Sequence, residues 1–289
     1  MDLRAFLTAH AQDAALSDQV AAGLAAAAYK DPATGLSRLA ALPGWDMLAQ
    51  ANVAGGYDAA ALHHPASRSL VVVNRGTEGI KSFADWWANV SAALFQDPDR
   101  QIGPAVDFLG EAIEACRQKG LPADQLLITG HSLGGGLAEI QGMLARAISD
   151  HAPPDIRVVG VASAGFADAA AGFAHRKKLS LDHSVEGAIK HYVRELDAVP
   201  HHPMRSIFGK DVKVASVWQA KRAKPPKGEI WEYTTVYDFL RNHDQALYCE
   251  YLSLGTDHHL WYSQKARKVE PRTGEYPTWD HTFIMPPDF

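Results

Sequence analysis

The run Leu126, Leu127, Ile128, Thr129, Gly130, His131, Ser132, Leu133, Gly134, Gly135, Gly136, Leu137, Ala138 constrains this chain more than any other stretch. Its apolar, β-prone start predicts a buried strand, and the residues after the glycines predict a helix, so the turn between them must be very short. Gly130 and Gly134 flank Ser132 in a G-x-S-x-G frame, the pattern of a sharp strand-to-helix turn that presents a hydroxyl at its apex. The helix that follows sets unpaired N–H groups and the positive end of its dipole beside that hydroxyl. A glycine-rich turn without chemistry is the plain alternative. A phosphate-binding loop is excluded, because no Lys follows the glycines.

Composition sets the scale of the fold around this turn. With 289 residues, 47% of them hydrophobic and 21% charged, the chain can bury a large core, and a single α/β domain over residues 1–289 is expected. A net charge of -5 provides no overall attraction to nucleic acid or to an anionic membrane, so any lipid-surface contact is expected to be local and transient. Cys116 and Cys249 cannot form a disulfide framework and read as buried thiols. The first residues show neither a signal-peptide pattern nor a transmembrane span, which makes the cytoplasm the default expectation, with export by a route that needs no cleavable signal as the alternative.

Along the chain, Ser17 reads as the N-cap of an alanine-rich helix through Val20, Leu24 and Ala28. A loop with Trp45 and Met47 is expected next, then a hairpin of Tyr57 to His63 with Ser69 to Val73, with His63 and His64 read as surface residues. Phe83, Trp86, Trp87, Val90 and Leu94 recur at helical spacing, as a core-packed helix or as a lid beside a substrate site. Gly103 and Pro104 open a further helix toward Gly120. Ile156 to Val161 and Ile189 to Val193 are expected strands, separated by a helical excursion. Strands alternating with helices predict a mostly parallel central sheet with helices on both faces. Val212 to Val217 and Ile230 to Val236 add an antiparallel C-terminal portion, joined by a basic loop that reads as a solvated turn or a contact for an anionic headgroup. In such sheets ligands bind beyond the carboxyl ends of the strands, where the loops after Val73, Thr129, Val161 and Val193 should meet.

Four segments in this order resemble the class 3 lipase family of α/β hydrolases, and bacterial members more than fungal ones. Asn74-Arg75-Gly76-Thr77 is similar to its R-G-[ST] turn and Thr129 to Ala138 to its elbow. Asp197-Ala198-Val199-Pro200 is similar to its D-x-V-P loop, and His259-Leu260-Trp261-Tyr262 to its H-L-W-Y segment. The resemblance implies an α/β-hydrolase fold and a triad of Ser132, Asp197 and His259. It also implies an oxyanion hole from the backbone N–H of Leu133 and from Thr77, with Phe83, Trp86, Trp87, Val90 and Leu94 on the substrate side. Among 14 histidines, His243 is the second candidate for the base, with His258 and His281 behind it. Asp182 and Asp211 are the rival acids.

The function these features imply is ester hydrolysis on acyl lipids or shorter esters through an acyl-enzyme, with no cofactor required. Phospholipase A activity is the runner-up, and an inactive hydrolase fold serving as a binding module is the alternative from another class. A metal hydrolase fits poorly, since there is no H-E-x-x-H and adjacent histidine pairs are not spaced to face one ion.

Overall fold

Sequential strand order decides which helices cover which face. The computed structural model describes residues 3–28, 36, 39–53, 56–76, 99–194, 197, 199, 200 and 205–214. In it, β1 (Asp46–Val53), β2 (Tyr57–His64), β3 (Ser69–Arg75), β4 (Gln125–His131), β5 (Asp155–Val161), β6 (Ile189–Arg194) and β7 (Lys210–Val214) form one sheet whose spatial order is their chain order. β1, β2 and β3 pair antiparallel, and β3 through β7 pair parallel.

Every parallel step from β3 to β6 moves the same way across the sheet, so right-handed crossovers place their helices on one face. Those helices are α3 (Asp99–Gln118), α4 (Leu133–Ile148) and α5 (Ala167–Lys177). Leu109, Ile113, Leu137 and Met143 pack there with Leu70, Val72, Leu126, Ile128 and Val158. Strand residues of the opposite parity, Val71, Val73, Leu127 and Val159, face a second core. Among the described residues that face is closed by α1 (Leu3–Ala9) and α2 (Asp18–Ala27) through Leu7, Val20 and Leu24. Both faces of β3 and β4 are thereby buried, which is why Leu70 to Val73 and Leu126 to Ile128 read as continuous apolar runs.

α2 begins as expected, with the Ser17 hydroxyl accepting the Val20 N–H at 3.2 Å. Its small side chains let the helix lie so close to the sheet that the Thr129 hydroxyl of β4 donates to the Ala21 carbonyl at 3.1 Å. A polar latch secures the same layer: the Asp18 carboxylate accepts Lys190 Nζ at 2.7 Å and the Tyr192 hydroxyl at 2.5 Å, both from β6. Burial works against the Asp18 charge, but these donors outweigh it and hold the carboxyl below its ordinary range.

Several expectations need correction. The segment with Met47 is not a loop but the edge strand β1, and α1 precedes the capped helix. α3 starts at Asp99, so Pro104 stands inside the helix instead of opening it. His63 and His64 are buried: His63 Nε2 meets the Pro122 carbonyl at 2.9 Å, and His64 bonds Ser67 at 2.7 Å while its ring lies 4.3 Å from that of Trp45. Among the described residues antiparallel pairing lies at the N-terminal edge, and β7, the first of the two strands expected to make a C-terminal hairpin, runs parallel to β6. Its expected partner, Ile230 to Val236, lies outside the described residues, as does Cys249. Cys116 is a buried thiol. No helix among the described residues is long and apolar enough to cross a membrane.

Candidate active site at the ends of the parallel strands

Ser132 is the single residue between β4 and α4, and it has φ 58° and ψ -122°. A non-glycine residue in that region carries about 1–3 kcal/mol of strain, so the surroundings must hold it there. They do so through its own peptide groups. The Ser132 N–H donates to the Val161 carbonyl at 2.9 Å, and the Ser132 carbonyl accepts from Gly135 at 3.1 Å and from Ala164 at 3.3 Å. The exit of β5 is itself forced into a left-handed turn, with Ala162 at φ 49° and its N–H donating to the Tyr192 carbonyl at 2.9 Å. Three successive strand ends are thus stitched around one serine.

The flanking glycines follow from backbone proximity. A Cβ on Gly130 would stand 2.3 Å from the Gly134 carbonyl oxygen, and one on Gly134 would stand 2.5 Å from the carbonyl oxygen of Asn74 at the end of β3. Leu133 is the first residue of α4, where N–H groups have no acceptor within the helix.

Asp197 follows β6 by three residues and is fully buried, its Oδ1 accepting the Val199 N–H at 3.0 Å. β4 and β6 run parallel with β5 between them, so Ser132 and Asp197 both follow carboxyl ends of the sheet. The rival acids are engaged elsewhere. Asp182 caps a short 3-10 helix (His183–Ala188) by accepting the Ser184 N–H at 3.0 Å, and it pairs with Arg146. Asp211 lies within β7 and takes two bonds from Arg205, at 2.9 and 2.6 Å. Thr77, the aromatic series Phe83, Trp86, Trp87, Val90 and Leu94, and the histidines His243, His258, His259 and His281 lie outside the described residues.

Two polar side chains that the sequence reading did not single out lie inside α4. Glu139 is fully buried and accepts N–H groups from Phe166, at 3.4 Å, and from Phe208. Burial pushes its carboxyl up to about 8, against the pull of those two donors. Gln141 is also fully buried. Their signal was present as two polar residues in an otherwise apolar helix, Leu137 to Ala145. Among the described residues no cluster of three or more His, Cys, Asp or Glu is placed to hold a metal ion.

Comparison with known proteins adds the following. Residues 71–207 match the family model for lipase (class 3). A search of curated proteins finds no match. Among solved structures, the chain is similar to a Rhizomucor miehei lipase in a propeptide complex, with 15% identity, a TM-score of 0.40 and coverage of 69% of this chain and 70% of the other. It is similar to a lipase from Rhizopus microsporus var. chinensis, with 16% identity, a TM-score of 0.39 and coverage of 71% and 75%. A third, the extracellular lipase LipA of Serratia marcescens, has 17% identity and a TM-score of 0.44, with 79% of this chain covering 42% of that one.

Proposed function

Residues 71–207 match the class 3 lipase family, and from that premise we propose that the chain is a serine carboxylester hydrolase acting on acyl lipids or shorter esters. The observation that carries this reading is the strained Ser132, held at φ 58° between the ends of β3 and β5 in a turn that admits no side chain at Gly130 or Gly134. Ser132 combines that φ with a ψ of -122°, a strained backbone conformation of the kind that clusters at functional sites.

In this reading Ser132 Oγ attacks the ester carbonyl while His259 takes its proton. Collapse of the tetrahedral intermediate expels the alcohol, which receives that proton, and leaves an acyl-serine. Water then repeats the sequence, releasing the carboxylic acid and restoring Ser132. Asp197 orients the imidazole and stabilises its charged form. The N–H groups of Leu133 and Thr77 receive the oxyanion, and loss of one such donor costs about 3 kcal/mol of transition-state stabilisation. Phe83, Trp86, Trp87, Val90 and Leu94 are assigned to the acyl side. The reaction is complete without a cofactor.

The test is a panel of esters of increasing acyl length, with phospholipids included, run on the native chain and on Ser132→Ala. Activity should vanish in the variant, and equal turnover in both would end the serine mechanism. His259→Ala beside His243→Ala identifies the base. A dead His243→Ala with an active His259→Ala would move the role to His243. Turnover confined to phospholipids would identify a phospholipase, and a folded native chain inert on the whole panel would favour a binding module.

A further inference from the structure

Beneath the elbow lies a closed set of buried hydrogen bonds that the mechanism above does not use. The Tyr57 hydroxyl, at the start of β2, donates to Asn74 Oδ1 at 2.9 Å, and Asn74 Nδ2 donates to Gln141 Oε1 at 2.6 Å. Gln141 Nε2 in turn donates to the Tyr57 hydroxyl at 3.3 Å and to the Ala105 carbonyl of α3 at 2.6 Å. All three side chains are buried. One cluster therefore joins β2, β3, α3 and α4.

Its position relative to Ser132 is what gives it a role. Asn74 is the register partner of Gly130 across the β3–β4 pair. Its carbonyl oxygen lies 2.8 Å from where a Cβ on Gly130 would be and 2.5 Å from where one on Gly134 would be, so β3 and the elbow touch backbone to backbone. Gln141 belongs to the same helix as Leu133, about two turns further along. The cluster thus grips both main-chain segments that flank the serine. Apolar side chains would supply cohesion to such a core, whereas a saturated hydrogen-bonded cluster also fixes direction and register. Small errors in the placement of donors and nucleophile are costly to catalysis even when they originate in supporting residues.

We propose that Asn74, Gln141 and Tyr57 are positioning residues for ester hydrolysis at Ser132, holding the end of β3 in fixed register against the elbow. The inference rests on the serine-hydrolase reading, and it adds that the Leu133 N–H depends on this triangle, since Gln141 lies on the helix that Leu133 opens.

The test measures kcat, KM and Tm with a soluble short ester for Tyr57→Phe, which removes only a hydroxyl, and for Asn74→Ala, with Ser132→Ala alongside. The triangle predicts that each of the first two lowers kcat about tenfold. KM should stay within about twofold, because the loss belongs to the transition state. The double variant should be little worse than Asn74→Ala alone, since both remove the same bond. A structural role alone would lower Tm and leave kcat unchanged in the folded protein, which would overturn the proposal. Tyr57→Phe decides the matter if Asn74→Ala fails to fold. Full activity in Ser132→Ala would instead overturn the hydrolase reading on which the proposal stands.

Discussion

Glu139 on α4 and His191 on β6 lie 3.8 Å apart, an acid and a base that are both fully buried. Burial drives them in opposite directions, the carboxyl up to about 8 and the imidazole down to about 4, so each is neutral near pH 7. The Arg205 guanidinium and the Asp211 carboxylate act on both, and Arg205 opposes charge on His191.

The pair predicts an alkaline loss of stability. Above the ordinary glutamate value of 4.5 and up to about 8, the fold keeps a proton that the unfolded chain has released, so Glu139 lowers stability as pH rises. His191 acts oppositely from about 4 up to its ordinary 6.5, where the unfolded chain holds the extra proton. The two slopes oppose each other below about pH 6.5, and Glu139 alone remains above it, at about 1 kcal/mol per pH unit. Thermal melts should show Tm falling between pH 6.5 and 8 in the native chain but not in Glu139→Gln. An equally steep fall in the variant would show that another group is responsible.

Gly134→Ala tests the backbone contact at the elbow. Its new methyl group would stand 2.5 Å from the Asn74 carbonyl oxygen, which is main chain and cannot swing aside. Overpacking of this kind costs about 1–3 kcal/mol, and the displacement falls on β3 beside the serine. Urea titration should record that loss together with a large drop in ester turnover. A variant with native stability would mean that β3 can yield without cost.

Asp18→Asn tests whether the α1–α2 layer is latched by charge as well as by packing. The folded carboxyl lies below its ordinary value, so its contribution is present above about pH 4 and is lost as pH falls through the folded value. At pH 7 the variant should be less stable by about 1–2 kcal/mol, through weaker bonds to Lys190 and Tyr192. The gap between variant and native chain should narrow below about pH 4. A gap independent of pH would assign the loss to packing.

The features that were legible in the sequence are those with local causes. Ser17 caps α2 through a bond three residues away, and Gly130 is demanded by its approach to the Gly134 carbonyl four residues on. β1 was not legible because Asp46–Val53 is a half-exposed edge with one β-branched residue, and it becomes a strand only by pairing with β2. His63 and His64 looked solvated beside a turn, yet partners brought by the fold, Pro122 and Trp45, cover them. Glu139 and Gln141 were passed over for the same reason, since their partners Phe208, Asn74 and Tyr57 lie 67 to 84 residues away in the chain. The nucleophile could be read from its turn, but the groups that brace it depend on long-range packing.

The last prediction sets stability against chemistry at Ser132 itself. Alanine and glycine both remove the hydroxyl, so both variants should be inactive. They differ in the backbone, because φ 58° with ψ -122° strains any side chain but suits glycine. Glycine also gives the unfolded chain more freedom, which offsets part of the relief. The balance favours Ser132→Gly over Ser132→Ala by about 1 kcal/mol, read as a higher urea midpoint at equal slope. A glycine variant less stable than the alanine one would mean that the clamp from Val161, Gly135 and Ala164 holds the turn without strain. In that case the left-handed serine would be a consequence of packing, and the structural argument for its catalytic role would lose its main support.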